Sequence, residues 1–162
     1  KVFKFRTAPI DPRDPFRGEY VALHFAPENG KWPLHGNDST VAPSMHAYAT
    51  LGTDQEGFAQ IVTLQAARPQ AGDFIPVEYM SWTPDTLFGV RLPFDRYYLE
   101  EGDGKKTENL LSPQWNEGVT TQPLPAYVVV RILNGGSVIE DLIVGDRSIH
   151  DWLADPAVVP VP

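Results

Sequence analysis

Sixteen prolines and thirteen glycines are spread along the whole 162-residue chain, and they cut it into short pieces. Proline has no backbone N–H for a helix or a central strand, and glycine gives up the most entropy on ordering, so both mark where regular structure stops. A chain interrupted this often is built from many strands and turns rather than from long helices.

The pieces alternate with period two. Phe3 and Phe5 alternate with Lys4 and Arg6, and Glu19 to Phe25 put Val21, Leu23 and Phe25 on one face and Tyr20, Ala22 and His24 on the other, as in a half-buried strand. Met45 to Leu51, Phe58 to Ala66, Ile75 to Met80 and Thr86 to Leu92 are further strand candidates, rich in β-branched or aromatic residues and bounded by Gly, Pro or Asp. Pro76 predicts that its strand lies at a sheet edge. Ala126 to Leu133, Asn134-Gly135-Gly136 and Ser137 to Val144 read as a hairpin, because Asn and Gly tolerate the positive φ of hairpin turns. Helix is confined to two short turns, one capped by Ser148 and running through Trp152, the other at Thr107 to Leu111. The expected fold is mainly β, a single-domain antiparallel barrel or two-sheet sandwich with little helix. The domain is placed at residues 1–154, followed by a Pro-rich tail at 155–162.

Composition narrows function by exclusion. The apolar fraction of 42% separates the chain from disordered sequences despite a net charge of −8. Thirteen basic residues are scattered, with Lys105-Lys106 the one adjacent pair, which argues against nucleic acid and against polybasic docking on an anionic membrane. The absence of cysteine removes disulfides, zinc ribbons and thiol catalysis. No apolar run reaches the length of a membrane span, yet the chain opens at Lys1 without Met, so it is read as either a processed segment or a fragment, with room for a signal peptide or anchor helix upstream.

The densest polar segment is Asp11-Pro-Arg-Asp-Pro-Phe-Arg-Gly-Glu-Tyr20, stiffened by two prolines. Asp11, Arg13, Asp14, Arg17, Glu19 and Tyr20 form the first candidate binding cluster; the competing reading is Arg–carboxylate pairing that pins the loop. Arg17 is expected to engage an acid from Asp11 to Asp14. Phe94 to Glu101 supplies the second cluster, with Arg96, Tyr97 and Glu100 as candidate ligand or partner contacts. His24, His35, His46 and His150 lack metal-ligand spacing, and no phosphate loop, nucleophile elbow or dinucleotide fingerprint is present, so no metal or cofactor is expected.

Gly18-Glu-Tyr-Val-Ala-Leu-His-Phe25 resembles the signature of the bacterial GDYxxLxY family, with Glu19 replacing Asp and Phe25 replacing the final Tyr. The preceding Asp-Pro-Arg-Asp-Pro-Phe-Arg resembles the family's lead-in, Phe94-Asp-Arg-Tyr-Tyr-Leu-Glu-Glu-Gly102 its second block, and the hairpin around Gly135 its third. The resemblance implies a small bacterial protein with an N-terminal membrane anchor and an extracytoplasmic domain, and it implies no reaction. Phe25 lacks the hydroxyl of the family's Tyr, which favours a packing role there.

The leading expectation is a non-catalytic extracytoplasmic interaction or accessory domain in the periplasm, tethered by an N-terminal helix. Its partner would be another envelope or membrane protein, or a small ligand, met through the Asp11 to Tyr20 loop. The alternatives are a hydrolase or sugar-active enzyme using Glu100 or Glu101 with Tyr97 or Tyr98, or Ser44 with His46, and a motif that serves the fold alone. The Phe94 to Gly102 block is expected to cover Tyr20, making one shared site.

Overall fold

A computed structural model describes residues 1–7, 20–29, 32–35, 45–81, 87–111, 114–116 and 119–155. In chain order the strands are β1 (Val2–Arg6), β2 (Tyr20–Ala22), β3 (Trp32–His35), β4 (Met45–Thr53), β5 (Ala59–Gln65), β6 (Phe74–Ser81), β7 (Leu87–Arg91) and β8 (Arg96–Tyr98). Helix α1 (Gly104–Leu111) follows, then β9 (Gln114–Asn116), β10 (Val119–Thr121), β11 (Ala126–Leu133), β12 (Gly136–Val144), β13 (Arg147–Ser148) and α2 (Ile149–Ala154). The fold is mainly β, with antiparallel pairing dominant.

Two larger units make up the architecture. Strands β3-β5-β4-β6-β7 close into a barrel, in which β3 and β5 pair in parallel, while β1-β11-β12-β13 form an antiparallel sheet. Two ribbons, β2-β8 and β9-β10, complete the pairing among the described residues. A bridge from Lys4 to Phe58 ties β1 to the barrel, and one from Thr7 to Phe25 ties the chain after β1 to the chain after β2.

Alternation explains what is buried. Phe3 and Phe5 of β1, Val128, Val130 and Ile132 of β11, and Leu142 and Val144 of β12 join one hydrophobic cluster with residues of the barrel and of the β2-β8 ribbon. Each such aliphatic side chain contributes roughly 1.5–3 kcal/mol on burial. Phe5, Phe25 and Phe94 meet edge to face at its centre, with centroids 5.1 to 6.1 Å apart.

The β11-β12 hairpin has the expected facing, with Arg131 exposed and Val130 buried. Its turn is one residue shorter than the sequence suggests. Asn134 at φ 51° and Gly135 at φ 84° are the two central residues, and Gly136 already pairs with Leu133 in the ladder. Both positive φ angles belong to a type I′ turn, whose twist matches that of the strands.

The edge placement of Pro76 needs correction, because β6 lies between β4 and β7. Its pairing to β7 spans only Glu78 to Ser81, and Pro76 sits on the half of the strand opposite Tyr48 of β4. The missing N–H therefore costs no bond to β7. Ser148 caps α2 as expected, accepting the His150 amide, and α1 begins three residues before Thr107.

Candidate functional site

Strand β2 pairs with β8 in the register Tyr20↔Tyr98, Val21↔Tyr97 and Ala22↔Arg96, so the first and second signature blocks are neighbours in space. The Leu23 amide donates to the Asp95 carbonyl at 2.7 Å and extends the ribbon by one more pair. Pleating then separates the side chains into two sets. Val21 and Tyr97 turn inward, at 0% and 7% exposure, while Tyr98 on the other face is 69% exposed.

The outer face carries a cation–aromatic stack. The Arg96 guanidinium lies 4.9 Å from the centre of the Tyr20 ring, and the Tyr20 and Tyr98 rings are 6.1 Å apart. Arg96 also stands 3.7 Å from the Asp95 carboxylate. Tyr20 is thus half-buried by its cross-strand neighbours, which come from the second block.

On the inner face, Tyr97 anchors the ribbon to the four-stranded sheet. Its hydroxyl is 3.0 Å from His150 Nε2 on α2. Beside it, Asp141 Oδ1 accepts from the Leu142 amide at 2.8 Å and from Ser148 Oγ at 2.9 Å. Burial raises the Tyr97 hydroxyl above its ordinary pKa, the nearby Asp141 carboxylate adds to the rise, and a hydrogen bond from the Leu142 amide opposes it. The Tyr97–Asp141–Ser148–His150 cluster joins β8, β12, β13 and α2.

Glu28 was not singled out by sequence reasoning, yet it locks the end of the signature segment. One carboxylate oxygen accepts the Phe25 amide at 2.9 Å and the other accepts the Leu92 amide at 2.8 Å. Glu28 stands three residues after Phe25 in a short 3-10 turn, Ala26–Asn29, which is the reach-back half of a capping box. That spacing was the available signal. Arg6 makes a comparable clamp elsewhere, bonding Asp54 at 2.6 Å and Glu56 at 2.8 Å while lying 3.8 Å over the Phe58 ring. The Arg6 hydrogen bond, followed by the amides of Phe58 and Glu56, holds the Asp54 carboxyl below its ordinary range.

Two open grooves flank the ribbon. One, of about 420 Å³, has exposed His46, Glu78, Arg91 and Asp95 on its walls. The other, of about 520 Å³, runs between Pro93 to Tyr98 and Ser137 to Glu140.

Of the sequence-predicted site residues, Tyr20 and Arg96 share the outer face of the ribbon, whereas Tyr97 points to the opposite side. Glu100 and Glu101 are exposed on the turn after β8, and the Tyr97 hydroxyl is engaged by His150 rather than by either acid. Asp11, Arg13, Asp14, Arg17 and Glu19 lie outside the described residues, as does Ser44, so the expected Arg17–acid pair does too. Phe25 is fully buried between Phe5 and Phe94, an environment with no use for the hydroxyl of a tyrosine. Among the described residues no three His, Asp or Glu side chains group as a metal site, and no helix is long and apolar enough to cross a membrane.

Fold and surface together define a mainly β domain in which a short two-stranded ribbon, packed on one face, displays an Arg–Tyr–Tyr stack on the other. The model of the family described as GDYXXLXY protein matches residues 1–142, and the chain belongs to that family. No curated protein and no solved structure matches it.

Proposed function

We propose that this domain is a non-catalytic interaction module on the extracytoplasmic side of a membrane-anchored bacterial envelope protein, and that the Arg96–Tyr20–Tyr98 stack meets its partner. The observation that carries this reading is the division of labour on the β2-β8 ribbon. Val21 and Tyr97 supply its burial, so the exposed Arg and Tyr side chains opposite are not required by the core. Arg and Tyr are also the residue types that dominate binding energy at protein interfaces, because each offers a large flat contact area with polar ends. In sequence, the charged Asp11 to Glu19 segment leads directly into Tyr20. With a net charge of −8, a neutral or cationic partner is favoured.

A photoreactive amino acid at position 98 of the full-length protein, expressed in its own cells, tests this reading. The expected result is one discrete crosslinked protein, lost when Arg96→Glu is added and absent when the probe replaces the exposed barrel residue Val62. Crosslinking no stronger than at position 62 overturns the proposal. Protection of the domain from protease until the outer membrane is opened is the expected signature of its compartment, and degradation only after the inner membrane is broken would refute it.

A further inference from the structure

We propose that the groove between β8 and β12 binds an extended, uncharged segment of a partner protein by strand addition. The inference rests on the reading that this side of the domain meets a partner, and it specifies how the partner is held.

The lining of the groove reveals its relation to the strands. It is formed by consecutive residues, Pro93 to Tyr98 on one wall and Ser137 to Glu140 on the other. Side chains alternate between the faces of a strand, so a groove lying over a face touches every second residue, and one touching all of them runs along the edge. Both edges are open among the described residues. Strand β8 pairs only with β2, and on the side of β12 away from β11 only Ile143 and Val144 are paired, with β13.

Main-chain groups that point into the groove follow from the ladders. In antiparallel pairs, residues that exchange bonds alternate with residues whose N–H and C=O turn outward. The Leu23 amide bonds Asp95, which puts Val21↔Tyr97 in the bonded set and turns the groups of Arg96 and Tyr98 away from β2. On the facing wall, the Ile132 amide donates to the Lys1 carbonyl at 2.8 Å, so Ile132 does not bond across to Ser137. Ser137, and Ile139 two residues on, therefore turn their groups outward. The Leu142 amide further along β12 is already held by the Asp141 carboxylate, which closes the row at that end.

Charge selects the occupant. Asp95 faces Arg96, and Glu140 takes two hydrogen bonds from Arg131, so the groove is locally balanced on a chain whose net charge is −8. Tyr98 and Val138, 69% and 57% exposed, add apolar surface at its rim. An uncharged strand with apolar side chains matches this lining, with main-chain bonds supplying affinity.

The test is selection of a pool of end-blocked random heptapeptides on the domain. Uncharged peptides rich in β-branched or aromatic residues are expected to be enriched, and at saturation to slow exchange of the Ser137, Ile139, Arg96 and Tyr98 amides by about tenfold or more. N-methylation of alternate peptide nitrogens, or Ser137→Pro in the domain, is expected to weaken binding by about tenfold, since each removes a strand-pairing donor. Amide exchange on the unaltered domain decides the matter if Ser137→Pro does not fold. No enrichment, enrichment of charged peptides, or tolerance of N-methylation overturns the proposal. Protection of the same amides that grows with protein concentration alone also overturns it, because a second copy would then fill the groove. Absent peptide binding with crosslinking at position 98 intact would remove strand addition and leave the interaction reading standing; the reverse pattern would remove the interaction reading.

Discussion

Replacing Tyr97 by Phe deletes one hydroxyl from a ring that is 7% exposed and leaves the ring itself to pack. The hydroxyl's hydrogen bond to His150 Nε2 at 3.0 Å is lost. His150 is itself exposed and can return to water, and the Leu142 amide keeps Asp141 as acceptor, so no buried group is orphaned. The loss is then that of one ordinary hydrogen bond, ~1 kcal/mol. For a chain of this size that is a fall in Tm of roughly 2–4 °C. Urea denaturation of Tyr97→Phe, His150→Ala and the double variant should give a coupling of roughly 0.5–1.5 kcal/mol. The hydroxyl also predicts a pH dependence. It is harder to ionise folded than unfolded, so unfolding releases a proton once the pH passes the ordinary tyrosine value of about 10. Its stabilisation is complete below that pH and is lost as the pH rises through the raised folded value. The native protein should therefore weaken more steeply above pH ~10 than Tyr97→Phe. Additive single variants, or parallel alkaline profiles, would refute the anchoring role assigned to this hydroxyl.

Three further outcomes are expected. Gly135→Ala should cost about 1–2 kcal/mol by calorimetry, because an L side chain is strained at φ 84° and its Cβ would come within 3.0 Å of the Phe74 ring. Leu142→Ala should cost roughly 2–5 kcal/mol in urea titrations, since the side chain is 0% exposed in the shared core. Asp54→Ala should lower Tm at neutral pH, and the difference should fade as the pH falls through the ordinary Asp value of 3.8 toward the depressed folded one, because protonation removes the Arg6 bond in the native protein as well.

Much of the local structure was legible because it is decided locally. The positive φ that Asn134 and Gly135 accept marks a hairpin from the residues alone, and alternation along Val21, Leu23 and Phe25 names a face that is buried. Turn length was read one residue too long, since Gly136 suits a turn or a strand start equally and the ladder decides. The position of Pro76 was misjudged because a strand has two edges, and only the reach of β7 reveals which one lacks a partner at that residue.

The candidate site divides along the same line. Residue types, charge and signature blocks are properties of the chain, and they singled out Tyr20, Arg96 and Tyr97. Which of them share a surface is a property of pairing. Tyr97 and Arg96 are neighbours in sequence yet lie on opposite faces of β8, one anchored to His150 and the other stacked on Tyr20. Glu28, Asp141 and Ser148 gain their roles from amides and hydroxyls that approach only when the ribbon docks on the sheet. By itself the sequence determined a mainly β chain, its strong hairpin, its buried stripes and its family. Only the tertiary structure decided that β2 and β8 pair and which polar groups meet, because those contacts join segments far apart in sequence whose register no local preference encodes.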